Sequence, residues 1–192
     1  LGPKETQFGT RPFIVSEAYR GMPGKPVAAG DKFFKVQPVS IQCFRAPCAT
    51  LGAKRVNYTA QTLFHELDLT AVTAGHVDGS WLAKRATEDG AITSGRWVRD
   101  GEELVLEASN VFVKLPEVAG PCPVFRLAQC PTGTVRTYER TADRCIVPSA
   151  CVTPGACAKY LPACAEGYTL GSWSSAPFAC PAYVCDPSWV LE

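Results

Sequence analysis

Short stretches in which apolar and polar residues alternate dominate the first 120 residues of the chain. A period of two is typical of a β-strand with one face buried and one face in solvent. Glycine and proline separate many of these stretches and favour turns. The stretches are residues 11–18, 32–41, 53–57, 62–69, 103–108 and 110–115. The pattern predicts a mainly β domain over about residues 10–118, folded as an antiparallel sandwich or barrel.

The strand pattern contains one helix and one clear hairpin turn. Residues 77–87 have helical spacing, since Trp81, Leu82 and Arg85 would share one face of a helix. Residues 95–101 end in Asp-Gly, which favours a tight turn into the next strand. In the stretch 62–69, strict alternation would place Leu63, His65 and Leu67 on one face and Phe64 on the other.

The cysteines divide the chain. Cys43 and Cys48 stand alone in the first 120 residues, whereas the other eight fall between Cys122 and Cys185. A first group of four recurs after 35, 34, 35 and 34 residues as a second group. The groups are Cys122, Cys130, Cys145 and Cys151, then Cys157, Cys164, Cys180 and Cys185. We therefore predict a small, loop-rich tail of two repeats, residues 122–151 and 157–185.

All ten cysteines are expected to form disulfides. An even and high number of cysteines is typical of secreted or extracellular proteins, and the sequence contains no C-x-x-C pair of the kind that structural zinc sites use. Cys43 is expected to pair with Cys48, and the other eight within their own repeats, because duplicated units inherit internal bridges. Each repeat permits three pairings, and the sequence does not select one.

Charge and hydropathy exclude several partners. The chain has 19 Lys and Arg against 18 Asp and Glu, so no basic field favours nucleic acid. No apolar run is long enough to span a bilayer. A positively charged start followed by an apolar run is also absent, and we expect a mature chain whose signal peptide has been removed. The expected partner is a protein or another extracellular ligand.

No catalytic motif is evident, and the chain is expected not to be an enzyme. It has two histidines, and His65 lies within a strand pattern that favours a structural role. Glu66 and Asp68 share a strand face, as solvated carboxylates commonly do. Acidic turns near Glu88 and Asp100 lack the alternating oxygen ligands of a calcium loop, so neither a metal nor a cofactor is expected.

Several segments resemble a family of uncharacterised secreted proteins of myxobacteria and other deltaproteobacteria. The resemblance covers about residues 13–116, and the tail looks like modules appended to similar proteins. It implies a bacterial cell envelope or extracellular location and no known activity. The segments that carry it are residues 30–36, the C-x-x-x-P-C loop at 41–48, residues 53–57 and residues 66–69.

The loop between Cys43 and Cys48 is the best single candidate for a contact site. A bridge across it would hold Phe44, Arg45, Ala46 and Pro47 in a short protruding loop. The sequence thus favours a structural or binding protein of unknown ligand. The alternative is an inhibitor of a trypsin-like protease, with Arg45 in the acidic specificity pocket and Ala46 extended by Pro47. The tail aromatics are expected to cover its bridges, with a binding role as the alternative.

Overall fold

The structure is a computed structural model that describes residues 15–44, 46–88, 90–117 and 121–190. It is mainly β, as the alternating pattern predicted. The strands are β1 Ala18–Gly21, β2 Lys32–Pro38, β3 Leu51–Arg55, β4 Gln61–Phe64, β5 Glu66–Asp68, β6 Ala91–Asp100, β7 Glu103–Leu115, β8 Val135–Arg140, β9 Ile146–Val152, β10 Tyr168–Ser175 and β11 Cys180–Pro187. The helices are α1 Thr70–Thr73, α2 Gly79–Thr87 and a 3-10 turn, Ser188–Val190.

Seven strands form one sheet that closes on itself. The antiparallel order is β1-β7-β6-β2-β3-β4, and β5 pairs in parallel with β7. Because only His65 separates β4 from β5, the segment 61–68 joins β3 to β7 and completes a five-stranded barrel. The strand order, with the helices between the third and fourth barrel strands, is that of an OB-fold, a Greek-key barrel. Closure leaves fewer unpaired sheet edges than an open sheet would.

Large apolar side chains fill the barrel. Phe34, Val36, Phe64 and Leu106 are buried there, and the Trp97 ring packs edge-on against both phenylalanines with centroids 5.2 Å apart. Strand β6 shifts register between Ser94 and Gly95, which marks a β-bulge. Bulges bend a strand, and a small barrel needs such bends to close.

A second core lies outside the barrel wall, where α2 packs on β6 and β7. Asp78 caps α2, accepting hydrogen bonds from the backbone nitrogens of Ser80 and Trp81 at 3.1 and 3.0 Å. Trp81 and Leu82 are fully buried on the inner face of the helix. Trp189 and Val190 from the end of the chain complete this core. The tail is therefore packed on the barrel domain.

Each four-cysteine repeat folds around one hairpin. Strands β8 and β9 form the first hairpin, and β10 and β11 form the second. The disulfides are Cys43–Cys48, Cys122–Cys145, Cys130–Cys151, Cys157–Cys180 and Cys164–Cys185. The pairing within repeats that the duplication predicted is confirmed, and both repeats join first to third and second to fourth cysteine.

A buried ion cluster joins both hairpins to the barrel domain. The Arg140 side chain, 8% exposed, lies between Asp78 and Asp186, which are 8% and 9% exposed. Its Nε is 3.0 Å from Asp78 Oδ2, and its terminal nitrogen donates to both Asp186 oxygens at 2.7 and 2.9 Å. These contacts cross the predicted boundary at about residue 119, and the division of the chain into folding units stays a prediction.

One predicted strand was wrong in detail. The stretch 62–69 is two short strands, because the chain changes partner at His65 from β3 to β7. Phe64 and Leu67 therefore both contact the barrel core, whereas Leu63 is 47% exposed, against the strict alternation. The predicted strand at 11–18 lies largely outside the described residues, and β1 begins at Ala18. The helix over 77–87 and the hairpin turn after Asp100 are confirmed.

Candidate ligand-binding groove

The loop chosen from the sequence joins β2 to β3 at one end of the barrel. Its disulfide is closed, and the Phe44 ring is 97% exposed. Ala46 and Pro47 are exposed and lie in bends, while Arg45 lies outside the described residues. In barrels of this topology the loop between the first and second strands often borders a ligand. The loop remains a candidate contact surface.

A groove lies elsewhere on the barrel, where the starts of β2 and β6 meet the end of β3. Its volume is about 600 Å³, within the range of small-molecule sites. The turn after β3 forms one wall, held by hydrogen bonds from the Val56 nitrogen to the Phe33 oxygen and from the Tyr58 nitrogen to the Arg55 oxygen. The lining residues are Asp31, Lys32, Phe33, Arg55, Val56, Asn57, Tyr58 and Ile92.

Two aromatic rings in this groove face solvent. Phe33 follows the period of β2, so the ring points outward while Phe34 fills the barrel. It is 41% exposed and rests edge-on against Phe112, with centroids 5.8 Å apart. Tyr58 is 52% exposed, and the Arg55 guanidinium lies 4.2 Å from its ring centroid. The groove therefore presents exposed rings that neighbouring side chains hold in place.

The groove carries more positive than negative charge. Lys32 and Arg55 contribute two cations, and Asp31 one carboxylate. One Asp31 oxygen, Oδ2, is buried and has no hydrogen-bond partner among the described residues. Asn57, with a φ of 68°, adds an amide at the turn, a left-handed conformation that asparagine tolerates well. The set can stack on an apolar face, pair with an anion and exchange hydrogen bonds with hydroxyl groups.

Histidine and carboxylate candidates from the sequence have structural surroundings. The Leu104 backbone nitrogen donates to His65 Nδ1 at 2.9 Å, which ties β4 and β5 to β7. The Thr70 backbone nitrogen donates to Asp68 Oδ1 at 2.8 Å, and hydrogen bonding to Thr70 lowers the pKa of this carboxyl. Glu66 is exposed on β5. His65 and Asp68 each hold the chain where two elements meet.

Several aromatic and cationic side chains of the tail lie at its junction with the barrel. Arg140 lies 5.9 Å from the Trp173 ring, and Trp189 is buried. The Arg144 guanidinium is 5.7 Å from the Trp81 ring, and burial lowers the pKa of this arginine. The Tyr168 hydroxyl donates to the Pro23 oxygen at 3.1 Å, and burial raises its pKa. These residues hold the hairpins in place.

Two kinds of site are missing from the part of the chain that the structure describes. No three His, Cys, Asp or Glu side chains come together there to hold a metal ion. Of its helices, none has the length and apolar character needed to cross a membrane. The acidic turn at residues 88–90 includes Asp89, which lies outside the described residues.

Comparison with curated proteins gives a relative that matches most of the chain. The chain is 30% identical over 184 residues to an uncharacterised protein of Dictyostelium discoideum. The aligned part is 93% of this chain and 62% of that relative, so the chain spans less than two thirds of its length. No family model matches, and no solved structure is significantly similar.

This relative corrects the resemblance to myxobacterial and deltaproteobacterial proteins, which was wrong. The similarity found extends over almost the whole chain and is to a eukaryotic protein. The short segments that suggested the bacterial family are mostly strands of the barrel and its loops. The predicted location in a bacterial cell envelope depended on that resemblance and falls with it. The five disulfides are still typical of a secreted or extracellular protein.

Sequence reasoning missed the groove. Its residues come from the stretches 31–33 and 55–58 and from Ile92, and only strand pairing brings them together. One signal was available, because alternation in β2 predicts that one of the adjacent Phe33 and Phe34 rings faces solvent. Which exposed ring borders a groove depends on the partner strands.

Proposed function

We propose that this is a secreted or extracellular, non-enzymatic protein that binds its ligand in the groove of the barrel. The observation that carries the proposal is the pair of exposed aromatic rings, Phe33 and Tyr58, in a groove of about 600 Å³. Large apolar side chains exposed together in a concavity are typical of binding sites. The five disulfides support the extracellular setting.

The residues that line the groove favour ligand binding over catalysis. Stacking on Tyr58, ion pairing with Arg55 or Lys32 and hydrogen bonding with Asn57 all hold a ligand without making or breaking bonds. Paired strands and the hydrogen-bonded turn after β3 form the wall of the groove. A rigid wall reduces the ordering cost of binding.

The test is a ligand-observed NMR screen of the oxidised protein against monosaccharides, short peptides, nucleotides and small aromatic acids. We expect compounds whose signals broaden with the parent protein and lose that effect with Tyr58→Ala. Phe44→Ala is the matched control, since it removes an exposed ring from the loop chosen from the sequence. None of the bound compounds should be converted to product on long incubation.

Two results would contradict the proposal. If Phe44→Ala abolished binding and Tyr58→Ala did not, the loop would be the binding site instead of the groove. If a bound compound were converted, the protein would be an enzyme. The sequence-based alternative, inhibition of a trypsin-like protease through Arg45, stays a prediction, because that residue lies outside the described chain.

A further inference from the structure

We propose that the ligand of the groove is an oligosaccharide that carries carboxylate groups, such as a chain of uronic acid residues. This inference rests on the proposed function, because it names the ligand class of the same groove. Three features of the groove carry it: the exposed rings of Phe33 and Tyr58, the cations Lys32 and Arg55, and the hydrogen-bonding groups of Asp31 and Asn57.

The exposed rings match the apolar faces of sugars. A pyranose ring presents several C–H groups on one face, and these pack against an aromatic ring while the hydroxyl groups at the edge stay hydrated. Phe33 and Tyr58 are 41% and 52% exposed, which leaves ring surface free for such stacking. Phe112 behind Phe33 and Arg55 beside Tyr58 fix the two rings, so little ordering is needed on binding.

The two cations distinguish acidic from neutral sugars. Lys32 and Arg55 form no ion pair with a described carboxylate, although both lie at the groove. The Arg55 guanidinium carbon lies 4.2 Å from the Tyr58 ring centroid, so a ligand that reaches Tyr58 also comes within reach of the N–H edge of the guanidinium. A carboxylate accepts two parallel hydrogen bonds from such an edge. A uronic acid offers this carboxylate on the ring that stacks.

The remaining groups match sugar hydroxyls, and the charge disfavours nucleic acid. Asp31 is an acceptor, and the Asn57 amide is both donor and acceptor. An oligonucleotide needs a field of cations along its backbone, whereas the whole chain has a formal charge of +1 and the groove includes a carboxylate. An acidic sugar needs one or two cations beside an aromatic ring.

The experiment is calorimetric titration of the full, oxidised chain with four probes. They are a hexamer of galacturonic acid, a neutral hexamer of galactose, hexaglutamate and a hexamer of thymidine. We expect the acidic sugar to bind at least about tenfold more tightly than the neutral one, which corresponds to about 1.4 kcal/mol. Hexaglutamate, with carboxylates and no rings, and the oligonucleotide should bind more weakly still.

Variants separate the contribution of stacking on the aromatic ring from that of pairing with a cation. Tyr58→Ala should weaken both sugars, because both stack on the ring. Arg55→Met keeps the aliphatic stem and should bring the affinity for the acidic sugar closer to that for the neutral one, with Lys32 still in the groove. Arg99→Met is the matched control, since Arg99 is exposed on β6 and does not line the groove. Unchanged urea midpoints would show that the variants fold.

The outcomes distinguish this inference from the proposed function. Equal binding of both sugars, tighter binding of hexaglutamate or the oligonucleotide, or no effect of Arg55→Met would overturn the ligand class. If binding of any of these probes still required Tyr58, the groove would remain the binding site. If no probe and no compound of the NMR screen bound, both proposals would be wrong.

Discussion

Replacing Arg140 with methionine should destabilise the protein strongly. The variant leaves Asp78 and Asp186, both less than 10% exposed, without the cation between them. Asp78 keeps the hydrogen bonds of the helix cap, whereas Asp186 loses two at 2.7 and 2.9 Å. Methionine fills most of the stem volume, so the cost comes from the uncompensated charges. Removing one partner of a buried ion pair costs about 3–5 kcal/mol.

Urea unfolding followed by tryptophan fluorescence measures this loss. With a denaturant slope of about 2 kcal/mol per molar urea, the midpoint should fall by about 1.5–2.5 M. Arg96→Met is the control, because its ion pair with Glu107, 2.9 Å long, is largely in solvent and should cost less than about 1 kcal/mol. Equal shifts in the two variants, or a more stable Arg140→Met, would refute the role assigned to the buried cluster.

Three further predictions concern the barrel, the tail and the disulfides. Gly95→Ala should cost about 1–3 kcal/mol, because its Cβ would lie 2.2 Å from the Glu107 backbone oxygen at the bulge. In the parent protein, burial raises the pKa of Tyr168 in the folded state, so above about pH 10 the unfolded chain ionises first and stability falls as pH rises. Tyr168→Phe removes this group and should make the loss of stability at high pH smaller. Removing Cys157–Cys180 should cost about 1 kcal/mol more than removing Cys43–Cys48, whose closed loop is much shorter.

Each of these has its own control. Gly79→Ala is the control for Gly95→Ala. Its added Cβ would lie 3.5 Å from Thr73, which is an ordinary van der Waals contact, so the urea midpoint should be nearly unchanged. For Tyr168→Phe, the comparison is the pH dependence of the midpoint with that of Tyr160→Phe, a residue 58% exposed. If both variants lost the same stability at high pH, Tyr168 would not be the group responsible. For the disulfides, equal midpoints after either pair is replaced by alanine would show that loop length is not decisive.

The sequence predicted the features that repeat locally. Alternation of apolar and polar residues predicted the strands β2 and β7, and helical spacing predicted α2. The duplicated cysteines predicted disulfide pairing within each repeat. Each of these depends on residues no more than 35 positions apart, and on one physical rule at a time. That is why a mainly β fold with a disulfide-rich tail could be derived before any contact was known.

Features that join distant segments could not be derived in this way. Barrel closure depends on a change of partner at His65, where the alternation continues without a break in the sequence. The groove needs Phe33 from β2 and Tyr58 from the turn after β3, and the ion cluster needs Arg140 beside Asp186, 46 residues later. An exposed ring or a single arginine has no periodicity, so nothing in the pattern predicts its partner.

The two repeats share their bridges but not their contacts, which predicts that the docking of the hairpins can be altered without unfolding either one. Asp186 follows the last cysteine of the second repeat, and the equivalent residue of the first is Val152. We expect Asp186→Val to keep all five disulfides and to cost about 1.5–3 kcal/mol, the range for hydrogen bonds to a charged group, since Arg140 keeps Asp78. Val152→Asp, the reverse change at the matched position, should cost less, because Val152 is only half-buried. Urea midpoints and non-reducing peptide mapping measure the two effects. If Asp186→Val cost no more than Val152→Asp, the ion pair between Asp186 and Arg140 would not be what docks the hairpins.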